Sequence, residues 1–338
     1  MHCHRKDSRT SPSFPCELNR REFLKAAASV SAALALPGCI PPVINGTTRA
    51  ATAILRARYD SNLADVIEAG FSLVPPPDVD GKTVLIKPNL VDLPREGRPA
   101  VTNPAVVIAA AEALRRRGAA KIIVAEGPAL QRDAWQIVDA IGLTPLLAAD
   151  TIEFVDINLA DVREVPNKGQ RLGLPTLYYP EPLLQADVFI SIPKMKVHHW
   201  AGASLSMKSM VGTTPGKIYG WPRNIFHLRD FHKAIDDLNQ TRSCDYAIID
   251  GIVGMEGDGP INGTAIEPGV IVMGDNPPAV DATACRVMKL RPEGLMYLKW
   301  AENTLGPIQE AAIEQRGETI QSVRTPFKVG SHLAALVG

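Results

Sequence analysis

Short apolar runs alternate along the chain with segments whose apolar residues recur at helical spacing. Residues 83–86 and 121–125 have the pattern of buried strands, and residues 104–117 have that of a helix opened by Asn103 and ended by Gly118. Consecutive parallel strands are joined by such a helical crossover. The pattern therefore predicts an α/β fold with a mainly parallel sheet covered by helices.

The alternation continues towards the C-terminus. The further predicted elements are a helix at 132–141, a strand at 152–156, a hairpin or excursion at 162–179, a strand at 187–192, a helix through Phe231, Ile235 and Leu238, strands at 246–249 and 270–273, and a helix at 278–288. Residues 39–80 are assigned to a tether and an N-terminal helix. Residues 81–338 are assigned to a single α/β domain, for which a division into two lobes stays open, and 28 prolines and 26 glycines indicate loop-rich insertions.

Composition narrows the classes of function. The chain has 36 basic and 36 acidic residues, so it lacks the overall positive charge that drives sequence-independent binding of nucleic acid. Its five cysteines have no CxxC spacing, which argues against a zinc ribbon or an iron–sulfur cluster held by this chain alone. Cys244 and Cys285 are either two buried thiols or one disulfide, and the sequence does not choose between them.

The N-terminal residues have the pattern of an export signal. Arg20 and Arg21 precede an apolar run at residues 26–36, as in twin-arginine signals, so residues 1–38 are predicted to address the chain to the twin-arginine export machinery and the periplasm or cell envelope. The run is too short to span a bilayer as a helix. Cys39 closes a segment that resembles a lipoprotein cleavage box. Lipid on Cys39, the one membrane contact expected, and plain periplasmic release both remain open.

Polar side chains follow several of the predicted strands. In open α/β sheets ligands bind at the carboxyl ends of the strands, which is where Lys87, Glu126, Lys194 and Asp250 fall. The densest cluster is residues 193–208. It contains three lysines and two histidines, whose side chains can transfer protons, bind anions or form covalent bonds. The alternative is a solvated basic loop with a core-facing tryptophan at position 200.

Carboxylates are concentrated after the strand that ends near residue 249. Asp250 and Glu256 lie within a glycine-rich run at residues 250–263, where carboxylates can bind a cation or act as acid and base, or make local turn bonds in a structural loop. Asp281 lies in the first turn of a predicted helix, where capping alone would account for it. We assign Asp281 and His227 as candidate metal ligands.

Several motifs together resemble one family. They are Lys87-Pro88-Asn89-Leu90, Thr102-Asn103-Pro104, Pro193-Lys194-Met195-Lys196-Val197-His198, residues 206–212, Asp250-Gly251-Ile252 with residues 255–260, and Ala279-Val280-Asp281. From about residue 83 to residue 305 the chain resembles the family called domain of unknown function 362. Some members carry an appended ferredoxin-like cluster domain. This chain lacks those cysteines, so no iron–sulfur cluster is expected.

A shorter stretch is similar to the core motif of the nickel-pincer lactate racemases. His198 is followed by Ala201-Gly202, by Lys208 ten residues on, and then by Pro215-Gly216. The resemblance implies His198 as acid/base, Lys208 as the cofactor tether and His227, by approximate position, as a nickel ligand. It departs from the racemase pattern just before Lys208, where a glycine pair is replaced, and it spans only some twenty residues.

These observations predict an exported enzyme that acts on a small anionic substrate by acid/base chemistry. The predicted catalytic residues are His198, Lys208, Asp250 and Glu256, and the predicted anion-binding residues are Lys87, Asn89, Lys194 and Lys196. A divalent metal or a bound cofactor is compatible with this set, and neither is identified. The alternative is a non-catalytic envelope protein that binds a ligand or assists a redox partner. Proton transfer of the isomerase type is the first reaction class to test.

Overall fold

The computed structural model describes residues 49–338, so the predicted signal at residues 1–38 and the cysteine at position 39 lie outside the described residues. Eleven strands form the main sheet: β1 (Ala50–Arg56), β2 (Thr83–Pro88), β3 (Lys121–Glu126), β4 (Glu153–Asp156), β7 (Val188–Ile192), β8 (Lys194–His198), β9 (Gly202–Ser204), β10 (Tyr246–Glu256), β11 (Thr264–Ile266), β12 (Val270–Gly274) and β13 (Ile313–Gly317). β5 (Val162–Pro166) and β6 (Thr176–Pro180) form a separate antiparallel hairpin.

The main sheet is predominantly parallel. Its strand order is β13-β1-β12-β10-β7-β2-β3-β4, and β10, β7, β2, β3 and β4 pair in parallel. β12 is antiparallel to both of its neighbours, β1 and β10. The predicted α/β class with a mainly parallel sheet is therefore confirmed, and the ends of β7, β2 and β3 come together at one edge of the sheet.

Helices cover both faces of the sheet. The α-helices are α1 (Leu63–Leu73), α2 (Pro104–Arg116), α3 (Ala134–Ala140), α4 (Thr144–Ala149), α5 (Glu181–Gln185), α6 (Ser206–Ser209), α7 (Gly216–Tyr219), α8 (Asn224–Arg229), α9 (Phe231–Arg242), α10 (Pro277–Val287), α11 (Met296–Ala301) and α12 (Ile320–Val323). Successive residues of a strand point to opposite faces. Accordingly, Leu85 packs in a core with α9 and α10, whereas Val84 and Ile86 pack in a second core with α1 and α2.

The assignment of residues 39–80 to a tether and a helix needs a correction. The helix is present as α1, but residues 50–56 before it form β1, which pairs with β12 and β13 inside the main sheet. Ala53 and Ile54 are both fully buried. A strand covered on both faces does not alternate between polar and apolar residues, so β1 lacks the period-two signal by which strands are recognised.

The cluster at residues 193–208 is also not a solvated loop. Its first part is β8, all five residues of which are buried, and the side chain of Trp200 is 54% exposed. The two lysines of β8, Lys194 and Lys196, are therefore buried and Trp200 is exposed, the reverse of a solvated loop with a core-facing tryptophan.

Cys244 and Cys285 are both buried free thiols. Along residues 49–338, no helix has the length and apolar character needed to cross a bilayer.

Candidate functional site

A cavity of about 220 Å³ lies at the sheet edge where β2 and β3 end. We call it the Lys208 cavity. Its polar lining consists of Asn89, Glu126, His198, His199, Lys208, Ser209, Arg223 and His227. Four of the residues predicted from the sequence, Asn89, His198, Lys208 and His227, therefore meet in one place. The loops after the strands bring them together, as expected for an open α/β sheet.

Lys208 is carried into the cavity by the short helix α6. The start of α6 is held by Asp281 of α10, whose carboxylate accepts hydrogen bonds from the backbone N–H of Ser206 (2.8 Å) and of Met207 (2.9 Å) and from the Ser206 hydroxyl. Burial raises the pKa of Asp281 to about 7, against the opposing effect of these hydrogen bonds. Asp281 thus positions the helix that carries Lys208, and it does not line the cavity.

The ammonium group of Lys208 has no acidic partner. Within the described part of the chain it forms no ion pair, and its Nζ lies 6.0 Å from the ring centre of Phe231. Burial and the neighbouring charge of Lys87 lower the pKa of Lys208 to about 8. At neutral pH the group is therefore mainly a cation, with a significant fraction of free amine.

Lys87 is paired, in contrast to Lys208. Its Nζ donates to Glu126 Oε2 (2.9 Å) and to Ser209 Oγ (3.1 Å), and both members of the pair are buried. Burial lowers the pKa of Lys87, and the charge of Glu126 opposes that shift. A Cβ at Gly212 would lie 2.6 Å from Glu126 Oε1, so the backbone can approach this pair only as glycine. The predicted anion-binding Lys87 is therefore neutralised at the cavity edge.

The hydrogen bonds of His198 fix its tautomer. Nδ1 accepts from the backbone N–H groups of Trp200 (3.1 Å) and Ala201 (3.2 Å), so the proton of the neutral ring is on Nε2. Burial and the charge of Lys208 place the pKa of His198 well below its usual value. His198 is consequently a neutral ring that can donate a hydrogen bond through Nε2.

His199 and His227 have the opposite tautomer. The Nδ1 of His227 donates to the backbone carbonyl of Arg223 (3.2 Å), and the Nδ1 of His199 donates to that of Gly259 (2.9 Å). A carbonyl only accepts, so the proton is on Nδ1 and the lone pair on Nε2. Burial lowers the pKa of His227. The cavity therefore contains one histidine that can donate and two that can accept a proton.

Two further polar side chains line the cavity, and they differ in whether the protein already provides their hydrogen-bond partners. Asn89 Oδ1 is buried and has no hydrogen-bond partner among the described residues, so this amide is available to a ligand. Arg223 is not available in this way. Its guanidinium donates to the backbone carbonyls of Thr214, Gly127 and Pro128, and burial lowers its pKa to about 10. Its own backbone is left-handed, with φ of 70°.

A second polar cluster lies outside the Lys208 cavity. The Nζ of Lys194 donates to Asp250 Oδ2 (2.6 Å), to the hydroxyl of Tyr59 (2.8 Å) and to the carbonyl of Val253 (2.9 Å). Asp250 also accepts from Tyr59 and from the backbone N–H of Asn103. We call this the Lys194 cluster. Both ions are satisfied by protein groups, so Asp250 is not placed to act as a catalytic residue in the cavity, nor Lys194 to bind an anion there.

Lys196 and Glu256 are also engaged elsewhere. Lys196 donates to the carbonyls of Ala100 (2.6 Å) and Pro260 (3.2 Å), and burial holds its pKa well below the usual value. Glu256 accepts from the backbone N–H of Lys328 (2.9 Å) and pairs with the Lys328 ammonium (3.2 Å). The predicted site residues are therefore divided between the Lys208 cavity and positions outside it. The cause is that β10 continues beyond Asp250 to Glu256 and carries both carboxylates along the sheet.

The proposed pair of metal ligands is not brought together. Asp281 faces the start of α6, whereas His227 lines the cavity. Over residues 49–338 there is no group of three or more His, Cys, Asp or Glu side chains arranged to hold a metal ion. Three residues of the cavity were not among the predicted site residues, and the sequence signals for them differed in strength: Glu126, His199 and Arg223. Glu126 ends a strand and His199 adjoins His198, while nothing in the pattern around Arg223 indicated a buried guanidinium.

Fold and cavity together define an α/β protein with a lysine- and histidine-lined pocket at the carboxyl edge of its sheet. The chain belongs to the family described as a domain of unknown function (DUF362), whose model matches residues 84–286. A twin-arginine translocation signal matches residues 17–37, which confirms the predicted export signal.

The chain is similar to a thylakoid-associated protein of Synechocystis, with 29% identity over 218 residues. The match covers 63% of this chain and 64% of that relative, just under two thirds of its length.

Two solved structures are also similar. The lactate racemase apoprotein of Thermoanaerobacterium thermosaccharolyticum has 13% identity and a TM-score of 0.46 over 71% of this chain and 57% of that chain. A Thermotoga maritima protein has 9% identity and a TM-score of 0.38 over 63% of this chain and 56% of that chain.

Proposed function

We propose that the Lys208 cavity binds a small carboxylate and catalyses proton transfer at a carbon next to a carbonyl group. The observation that carries this proposal is a lysine with no acidic partner facing a cavity that also holds a free amide and histidines of both tautomers. Buried cations are normally paired, and an unpaired one is costly. An anionic ligand would supply the missing partner of Lys208.

The histidine tautomers support the following roles in the proposed reaction. His227 presents the Nε2 lone pair and serves as the base: the C–H bond of the substrate breaks, the proton moves to Nε2, and the electron pair delocalises onto the adjacent carbonyl. His198 donates its Nε2–H to that carbonyl oxygen as negative charge develops. Return of a proton from His227 completes the exchange. The base predicted at His198 thus moves to His227, because Nδ1 of His198 is already an acceptor.

The sequence resemblance suggests a second use of Lys208, which excludes the first because it takes up both the amine of Lys208 and the Nε2 lone pair of His227. A lysine with a pKa of about 8 can form a covalent bond through its free amine, and the Nε2 of His227 is free to ligate a metal. These side chains fit the donor set of a lysine-tethered nickel cofactor, which would supply a hydride-accepting group when bound. Intact-protein mass spectrometry tests this directly: a tethered cofactor would give an added mass that Lys208→Met lacks.

The proposed reaction is tested by hydrogen exchange in D₂O. We expect the exported protein to exchange the carbon-bound proton of at least one member of a panel of 2-hydroxy, 2-amino and 2-oxo carboxylates, followed by proton NMR. Lys208→Met and His227→Gln should reduce the rate at least about a hundredfold, in the range of a lost acid/base group. Lys168→Met is the matched control, because Lys168 is exposed and outside the cavity.

Each alternative outcome has a defined meaning. Exchange that survives in both cavity variants contradicts the proposal. Binding of a carboxylate without exchange of any panel member would contradict the catalytic part and favour a ligand-binding protein.

We further propose that the protein acts on the periplasmic side of the membrane, which the match to a twin-arginine signal supports.

A further inference from the structure

Five aromatic side chains form a closed ring on one wall of the Lys208 cavity. The ring centres of His198 and His199 are 5.0 Å apart, those of His199 and Trp200 4.5 Å, and those of Trp200 and His227 4.5 Å. Phe231 closes the ring, at 4.5 Å from His227 and 5.6 Å from His198. All five residues line the cavity. We call this group the aromatic wall.

Exposure increases along the aromatic wall from its base to the mouth of the cavity. His198 and Phe231 are buried at 4% and 8% exposure, His199 and His227 are half-buried, and the indole of Trp200 is 54% exposed. The rings of His198 and Phe231, at the base of the wall, stack on each other. The indole at the mouth keeps much of its apolar surface in water, although it lines a cavity.

The wall is suited to an uncharged or anionic ring and not to a cationic one. Aromatic faces also bind cations, but such a ligand would meet the unpaired ammonium of Lys208 and the buried guanidinium of Arg223. These charges instead favour an acid group next to the ring. The distance from Lys208 Nζ to the centre of Phe231, 6.0 Å, places the cation beside the wall.

We propose that the ligand of the Lys208 cavity is a carboxylate that carries a planar ring, whose acid group pairs with Lys208 while the flat face of the ring stacks on Trp200 and His227. This inference rests on the proposed function, since it names the substrate class for the same site. Aromatic stacking favours flat partners beyond what their buried area contributes. Planarity should therefore be a determinant of specificity that is separable from charge.

Benzoate and cyclohexanecarboxylate are suitable probes, because they share charge and ring size and differ in planarity. With the exported protein at pH 7, isothermal titration calorimetry should give a dissociation constant for benzoate about three- to tenfold lower than that for cyclohexanecarboxylate. Trp200→Leu should remove this preference, and Trp200→Phe should keep most of it. Trp135→Leu is the matched control, since Trp135 is 46% exposed and lies outside the cavity.

The outcomes separate this inference from the proposed function. Equal binding of the two probes by the unmodified protein, or a preference that persists in Trp200→Leu, overturns the inference while carboxylate binding stands. Failure of both probes to bind overturns the inference, whereas the proposed function is contradicted only if the carboxylate panel also shows no hydrogen exchange that depends on the cavity residues. Loss of binding in Lys208→Met, with the benzoate preference lost only in the Trp200 variant, supports both. Circular dichroism and the thermal unfolding midpoint check that each variant is folded.

Discussion

Lys208 and Lys194 are two lysines of the same segment, and burial lowers the pKa of both. Lys194 is surrounded by acceptors, with Asp250 at 2.6 Å, a tyrosine hydroxyl and a backbone carbonyl. Lys208 has an aromatic ring, a cavity and no ion-pair partner among the described residues, because the nearby carboxylate of Glu126 is paired with Lys87. This comparison shows that the presence of a lysine after a strand is not enough to define a binding site. What distinguishes a binding lysine is a charge that the protein leaves unpaired.

The two regions should therefore respond to substitution in opposite ways. In the Lys194 cluster, removal of one ion leaves the other buried and uncompensated, a large cost in folding free energy. In the cavity, removal of Lys208 relieves an unpaired charge and costs function instead of stability.

The largest effect is expected for Asp250→Asn. It leaves Lys194 without its counter-charge, so we expect the free energy of unfolding to fall by about 3–5 kcal/mol at pH 6. Urea denaturation followed by circular dichroism measures this change. Lys208→Met serves as the comparison, with a free energy of unfolding within about 1 kcal/mol of the unmodified protein or above it. Equal destabilisation by the two substitutions would remove the distinction between the regions.

A smaller change in stability is expected from Asp281. Its carboxylate holds the start of the helix that carries Lys208, so it connects the stability of the fold with the function of the cavity. Its pKa rises from the usual 3.8 to about 7 on folding, so the folded state binds an additional proton between these values. The contribution of Asp281 to stability is present below about pH 4 and is lost as the pH rises towards 7. Relative to Asp281→Asn, which does not titrate, the unmodified protein should lose stability over this range.

Chemical denaturation at pH 4.5, 6 and 7.5 measures this difference, in which the titration of all other groups largely cancels. A difference between the two proteins that stays constant over these pH values would show that Asp281 does not titrate between the folded and unfolded states as described.

Much of the fold was predictable because its strands and helices are long runs with a clear period. The helix with Asn103 as its cap and the strands on either side of it were recognised in this way. β1 was not, because a strand buried on both faces has no alternation. The length of β10 was also not predictable. Its glycines indicated a loop at residue 250, whereas sheet pairing on both sides carries the strand on to Glu256.

The site was predictable where topology alone brings residues together. Asn89 follows β2, and His198 and Lys208 belong to the segment that follows β7, the strand next to β2, so the rule for open sheets places them at one edge. That rule cannot tell a paired lysine from an unpaired one, since the partner of Lys194 depends on the register of β8 against β10. It also cannot fix histidine tautomers, which depend on backbone groups that only the folded chain brings into contact.

The most direct test of an unpaired, ligand-binding Lys208 is the pH dependence of benzoate affinity, measured by isothermal titration calorimetry between pH 7 and pH 9. Benzoate stays ionised throughout, while a lysine with a pKa of about 8 loses most of its charge. We predict that the association constant falls about tenfold over this range as the ammonium deprotonates. Lys208→Met should bind weakly and show no such fall. An affinity that does not change with pH, or one that falls equally in Lys208→Met, would contradict the account.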